Sequence, residues 1–363
     1  MELRLSSGNG PITRRILKTP VRDALPSEIP VIDISGIFST SDADRKVVAA
    51  EMRSAAMNNG FFYVRGHGIP TEVTEAVHAA VLAFFRQDAE TKMAAHSRHS
   101  AYFNGYRPPR SQRINPHEGI DVRETFSWTY DPRHDPEVRG QADSIPDEIR
   151  RFMRVEDFPW TATANLPGLR DAVTAYFAEC LRVARALTRA FALSLDLDED
   201  VFASKVRYPD AAYALNYYPP LAPKEEGGAG GGGGGGGDED MSIGSHTDFQ
   251  LFTMLWQDGE GGLEVLSRQG QWLRAAPVEG TLVVNIGDYL ERVTNGRYVS
   301  TVHRARNTGP RERVSVPFFW GFGLHESCGV LESCVGPDGE VLYDEVSCEE
   351  WVKRRVGNML KVE

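Results

Sequence analysis

Cysteine is scarce in this chain of 363 residues: Cys180, Cys328, Cys334 and Cys348 are the full set, and no pair has Cys-x-x-Cys spacing. That speaks against a disulfide framework or a thiolate zinc site and reads as reduced cytosolic thiols. No apolar run approaches the length of a bilayer span. Met1 to Pro20 carries scattered charges and no apolar core, so no signal peptide is expected. A basic excess is missing too. The 40 Lys and Arg against 51 Asp and Glu give a formal charge of -11, which argues against DNA, RNA or an anionic membrane as partner. The apolar content, 41%, is ample for a core in one large domain or two.

What the chain does have is periodicity of both kinds. Helical spacing of apolar residues predicts helices over Asp42 to Asn58, Thr71 to Arg86 and Leu169 to Leu195, the last with Val173, Phe177, Leu181, Ala184, Leu187 and Phe191 in one stripe. Short runs between glycine turns predict strands over Val31 to Ser35, Phe61 to Val64, Ala211 to Tyr218 and Gln250 to Trp256. Further strands are expected over Leu263 to Leu266, Gln271 to Ala275, Thr281 to Ile286, Val299 to Arg304 and Arg313 to Trp320. Many short strands of this kind imply an antiparallel sandwich or jelly roll. Between Ser97 and Pro159 periodicity fades, and Tyr106 and Phe126 are substrate-side candidates there. Gly227 to Gly237 is glycine broken by Ala229, followed by Asp238-Glu-Asp240. It lacks the frame of a phosphate loop and is expected as a disordered insertion. His67, in the turn Gly66-His67-Gly68, is expected to pack that turn.

The chemistry gathers around His246-Thr-Asp248. In an extended segment side chains repeat every two residues, so His246 and Asp248 project to one side, and the β-branched run before His303 reads as a partner strand. Two imidazoles and a carboxylate can hold non-haem Fe(II) on one face and leave the opposite positions open. A lone His-x-Asp is weak, and His303 alone would more readily be a core histidine. Arg313 and Ser315, again spaced by two, strengthen the reading, because a guanidinium fork with a hydroxyl beside it can hold a carboxylate. An open iron site next to such a clamp suits 2-oxoglutarate.

The order His246-x-Asp248, His303, Arg313-x-Ser315 resembles the iron(II)- and 2-oxoglutarate-dependent dioxygenases, in their isopenicillin N synthase-like branch. Ile29-Pro-Val-Ile-Asp-Ile-Ser35, Asn59-Gly-Phe-Phe-Tyr-Val64, His67-Gly-Ile-Pro70, Asn216-Tyr-Tyr-Pro219, Gly261-Gly-Leu263, Asn285-Ile-Gly-Asp288, Asn295-Gly-Arg-Tyr298 and Pro317-Phe-Phe319 are similar to that branch. The resemblance implies an α+β, mainly β fold: a double-stranded β-helix (jelly roll) core with helices packed outside. It implies a loose arm over 1–28, the family's N-terminal region over 29–160, a bracing helix within 161–206, the jelly-roll core over 207–325 with the insertion at 227–240, and a C-terminal segment over 326–363 that covers the pocket. It also implies that His246, Asp248 and His303 bind Fe(II), and that Arg313, Ser315, Tyr218 and Asn216 bind 2-oxoglutarate. O2 is the oxidant and ascorbate an optional reductant. A small molecule of specialised metabolism is then hydroxylated, desaturated or cyclised as succinate and CO2 are released.

Two alternatives stand beside this reading. An isopenicillin N synthase-type Fe(II) oxidase would use Arg313 and Ser315 for the substrate's own carboxylate, without 2-oxoglutarate. A non-catalytic binding protein would hold a structural ion, but closed structural zinc takes four protein ligands, often thiolates, and this motif offers three with no cysteine near it.

Overall fold

A computed structural model describes residues 1–220, 242–307 and 309–359. In chain order its strands are β1 (Glu2–Ser7), β2 (Gly10–Arg15), β3 (Arg22–Asp23), β4 (Val31–Asp33), β5 (Phe61–Arg65), β6 (Gly105–Arg107), β7 (Glu124–Thr129) and β8 (Asp210–Tyr218). There follow β9 (Ile243–His246), β10 (Phe252–Gln257), β11 (Leu263–Leu266), β12 (Trp272–Arg274), β13 (Leu282–Ile286), β14 (His303–Ala305) and β15 (Arg313–Gly321). The helices that matter for the site are α1 (Asp42–Asn58), α2 (Thr71–Phe85), α3 (Leu169–Ser194), α4 (Asp288–Val293) and α5 (Cys348–Met359).

Among the described residues the core strands form a major sheet ordered β4-β5-β13-β10-β15-β8-β7-β6 and a minor sheet ordered β3-β12-β11-β14-β9. Pairing is antiparallel except where β4 meets β5 and β3 meets β12. This is the jelly-roll core with helices outside, as expected. The register sorts the major sheet into two chemically different faces. One cross-strand row is Val284, Met254, Phe318, Tyr213, Trp128, and a neighbouring one is Val316, Leu215, Phe126, Tyr106. Both rows are buried in the large core that includes the α2 and α3 stripes. The opposite face alternates with it and carries Gln257, Ser315, Asn216, Thr125 and Arg107 in one row. Since a side-chain period of two sends neighbours to opposite faces, the polar row looks into the space between the sheets.

The helices follow from local sequence. α1 starts on Ser41, whose side chain accepts from Asp44 N, with Asp42 and Asp44 in the positive first turn. It stops before Gly60, at φ +65, where a Cβ would lie 1.9 Å from Val299 O. α3 braces the outer face of the major sheet, and Thr188 Oγ1 accepts from Trp320 Nε1 at 2.9 Å. His67 packs its turn as expected: Nδ1 accepts from Ile69 N at 3.1 Å, and Arg182 Nη2 donates to His67 O at 3.0 Å.

Three expectations differ. Residues 1–28 are no loose arm: β1 and β2 form a hairpin whose Leu3 and Leu5 are buried with Leu266, Trp272 and Val302. Their apolar residues alternate with polar ones, so the segment pays for its order by covering the minor sheet. Tyr106 and Phe126 face the outer core, because both sit in register opposite one another on the wrong parity for the site. The strand expected over Val299 to Arg304 is confined to His303–Ala305; Ser300 and Thr301 before it turn their hydroxyls to Asp288 and to Asn59 O instead. The insertion at 227–240 and the end of the C-terminal segment, 360–363, lie outside the described residues.

Candidate metal centre

β9 ends at His246, and the chain bends through Thr247 and Asp248 before β10. His303 opens β14 directly opposite His246 in the ladder. Val299 N donates to Ala56 O and Thr301 Oγ1 to Asn59 O, which ties the approach to His303 to the end of α1. Three side chains from two adjacent strand ends are thereby aimed at one point. Asp248 Oδ1 is 3.7 Å from both His246 Nε2 and His303 Nε2. That is too long for a hydrogen bond, yet short enough for all three atoms to share an ion through bonds of about 2.1 Å. Among the described residues no other trio of His, Cys, Asp or Glu gathers in this way.

The surroundings leave the right atoms free. His246 Nδ1 lies 2.8 Å from Gly244 O, and His303 Nδ1 lies 3.1 Å from Thr301 O. A carbonyl only accepts, so each Nδ1 carries the proton and each Nε2 keeps its lone pair. Asp248 Oδ2 accepts from Thr253 Oγ1 at 2.5 Å and from Asn285 Nδ2 at 2.7 Å, which turns Oδ1 toward the histidines. Burial alone would raise the Asp248 pKa, but His303, His246 and these two donors outweigh it and hold the carboxyl below its usual range. Burial, and next His303, push His246 down to about 3. Two imidazole nitrogens with free lone pairs and a carboxylate oxygen turned toward them are the donor set a divalent iron requires.

Behind the trio stands a residue to which sequence reasoning gave no role. Asp288 N donates to Asp248 O at 2.8 Å. The fully buried Asp288 carboxylate accepts from Thr247 Oγ1, Ser300 Oγ and Gly8 N, and Arg355 Nη2 lies 3.3 Å away. It thus joins the ligand loop, the approach to His303, the N-terminal hairpin and α5. Trp351 of α5 also donates Nε1 to Phe249 O at 2.7 Å, so the C-terminal helix lies against the ligand loop. Thr253 and Asn285 were equally unassigned. Their signal was parity: both stand opposite each other on the inner face of β10 and β13.

The expected cosubstrate residues come together on β15 and β8, where Arg313 opposes Tyr218 and Ser315 opposes Asn216. The Arg313 guanidinium lies 4.5 Å from the Tyr218 ring centroid, and Tyr218 Oη is 3.2 Å from Ser315 Oγ. Arg313 is 1% exposed and donates Nη2 to Gln257 Oε1 at 3.2 Å, while Nε and Nη1 have no partner among the described residues. Burying unpaired guanidinium donors is costly, and a carboxylate is the group that would satisfy them. Asn216 stands in the same row, but its Oδ1 already accepts from Arg123 Nη1 at 2.7 Å and Thr125 Oγ1 at 3.1 Å. Only its amide nitrogen remains to be offered. Pro317 and Phe319 share the inner face with Arg313, by the same period of two.

Comparison with known proteins agrees with this geometry. Residues 209–321 match the profile of the 2OG-Fe(II) oxygenase superfamily, and residues 29–148 match the N-terminal region of non-haem dioxygenases in morphine synthesis. The chain is 58% identical over 359 residues to the 2-oxoglutarate-Fe(II) type oxidoreductase ppzC of Metarhizium majus, covering 99% of this chain and 95% of that one. It is 31% identical over 301 residues to the 2-oxoglutarate-dependent dioxygenase citB of Monascus ruber, covering 82% and 85%. The solved structure of a 2OG-Fe(II) oxygenase family protein from Caulobacter crescentus, 27% identical, has a TM-score of 0.73 over 91% of this chain and 98% of that one.

Proposed function

Because the chain belongs to the 2OG-Fe(II) oxygenase superfamily, we propose that His246, Asp248 and His303 hold its iron and that Arg313, Ser315 and Tyr218 hold the far carboxylate of 2-oxoglutarate. The protein is an Fe(II)/2-oxoglutarate-dependent dioxygenase acting on a small molecule. Fe(II) with 2-oxoglutarate and O2 supplies the oxidising chemistry, releasing succinate and CO2 as the substrate is hydroxylated, desaturated or cyclised. The residues of the chain do the positioning. Gly244 O and Thr301 O fix both imidazoles with Nε2 forward, while Thr253 and Asn285 fix the carboxylate with Oδ1 forward. The Arg313 fork receives the cosubstrate carboxylate that its buried donors lack, with the Ser315 and Tyr218 hydroxyls beside it. Leu255, Pro317, Phe319, Ala212 and Ala214 present apolar surface on the same face and keep water from the reacting atoms.

We place the reaction in specialised metabolism and in the cytosol, without a nucleic-acid or membrane partner. The likeness to the Metarhizium oxidoreductase, the -11 charge and four thiols free of disulfides support this. Among the described residues no helix is long and apolar enough to cross a membrane. The observation that carries the site assignment is the meeting of three metal-ready atoms, together with a buried guanidinium whose Nε and Nη1 find no partner among the described residues. The test is succinate release from 2-oxoglutarate by purified enzyme with Fe(II) and O2. Asp248→Ala is expected to abolish it, and iron-dependent succinate formation persisting in that variant would falsify the ligand assignment.

A further inference from the structure

We propose that Arg107 and Arg123 form an anion subsite on the substrate side of the metal centre, and that the substrate is an acid with an apolar body whose carboxylate this pair receives. The inference rests on the function proposed above and adds the substrate's chemical class. β6 is the last strand of the major sheet and β9 the last of the minor one. The segment 108–123, between β6 and β7, bridges the two. Asp121 Oδ1 accepts from Gly244 N at 3.2 Å, and Glu118 accepts from Ser245 N and from Ser245 Oγ, the latter at 2.8 Å. The bridge therefore lands on the two residues before His246. Arg107 and Arg123 stand at its two ends. Arg107 lies on the inner face opposite Thr125, and Arg123 has the parity of Thr125 on the next turn of the pleat.

Both guanidiniums carry donors that the described residues leave unused. Arg107 donates Nη2 to Ser127 Oγ, and among the described residues its buried Nε has no partner and no carboxylate pairs with it. Arg123 donates Nη1 to Asn216 Oδ1, and among the described residues its Nε is also buried and unpartnered and its one acid is Asp121, with Oδ2 at 3.9 Å from Nη2. That acid is itself disfavoured as an anion, since burial raises its pKa. Burial first, and the Arg123 charge second, lower Arg107 to about 10. Two cations thus share a recess with one loosely held counter-charge, an arrangement that an incoming carboxylate would complete. Asp121, two residues before Arg123, takes the Gly244 N–H, so the recess adjoins the strand that ends at His246.

Arg107 stands apart from the Arg313 clamp, while Arg123 meets the clamp's row at Asn216. β6 stands three strands from β15, roughly 14 Å at the usual strand spacing. Thr125 and Asn216 lie between them in the same row, and the next rows of the inner face carry Pro317, Ala214, Phe319 and Ala212. An anionic head at Arg107 and Arg123 would lay the body of the substrate over those apolar residues, toward Thr253 and the Asp248 carboxylate it holds.

The experiment has two arms. Succinate release by the Fe(II) enzyme tests the underlying dioxygenase reading by itself. Ligand-observed NMR then measures binding of benzoate, 4-phenylbutyrate and hexanoate, and of their primary amides, to anaerobic enzyme saturated with Mn(II) and 2-oxoglutarate. The acids are expected to bind at least about tenfold tighter than the amides. R107Q and R123Q should each lose that preference with an unchanged KM for 2-oxoglutarate, and R107K and R123K should keep part of it at near wild-type Tm. Equal binding of acids and amides, weak binding of both included, overturns the proposal whether or not succinate forms. So does a raised KM for 2-oxoglutarate in R107Q or R123Q with the acid preference intact, since the pair would then serve the cosubstrate.

Discussion

At the scale of single residues, Asp248 shows how the site divides one carboxylate. Oδ2 is committed to Thr253 and Asn285, and Oδ1 is left for the metal. Thr253→Val and Asn285→Leu each remove one restraint without touching a ligand. Each is expected to weaken Fe(II) or Mn(II) affinity about 10- to 100-fold in a metal titration, the usual effect of losing an outer partner; unchanged affinity in both would show the carboxylate to be held by other means. Arg313→Lys keeps the charge but loses the fork. Its KM for 2-oxoglutarate should rise on the order of a hundredfold, the equivalent of about 3 kcal/mol for a truncated buried charge pair, with the substrate KM little changed in steady-state assays. The convergence of His246 with Asp248 and the shared face of Arg313 and Ser315 were legible because a spacing of two in extended chain is written in the sequence. Thr253, Asn285 and Asp288 were not, since nothing local marks a side chain whose partner is brought in by the sheet.

At the scale of elements, the parity of the β strands decides what each residue does. Tyr106 and Phe126 were aromatic and in the right region, yet a one-residue step in β6 or β7 separates the core face from the site face. The same step puts Arg107 and Thr125 inside. Sequence could not fix that parity, because the segment before β7 has no alternation to read. The His67 turn yields a prediction with a definite sign. Burial, its largest influence, lowers the imidazole pKa from 6.5, so the folded state prefers the neutral ring that accepts from Ile69 N. The contribution is complete above the unfolded pKa and is lost as pH falls through the folded value, because the unfolded chain then binds more protons. His67→Asn retains an acceptor that cannot be protonated. In urea melts the wild type should lose more stability than this variant between about pH 7.5 and about pH 5.5; equal losses would mean the ring is not held neutral.

At the scale of the whole molecule, the jelly roll was legible from the count of short strands and the helices from their stripes, but the ends of the chain were not. The β1–β2 hairpin has a modest apolar content and looks like a tail until its face is matched to Leu266, Trp272 and Val302 on the minor sheet. Removing residues 1–16 uncovers that face and withdraws Gly8 N from Asp288. Burial of Leu3 and Leu5 alone contributes about 3–6 kcal/mol. The truncated protein is therefore expected to melt several degrees lower, and to bind Fe(II) more weakly than the full chain when both are folded. A truncation with unaltered melting and metal affinity would make the hairpin an ornament.

Asp288 gives this molecule an unusual wiring. Gly8 in the β1–β2 hairpin, Arg355 in α5, and Thr247 between His246 and Asp248 all hang from one buried acid. A protease cut, a bulky tag or a docked partner at the hairpin or at α5 would tug on the same knot, and the iron would register the disturbance although nothing had entered the pocket.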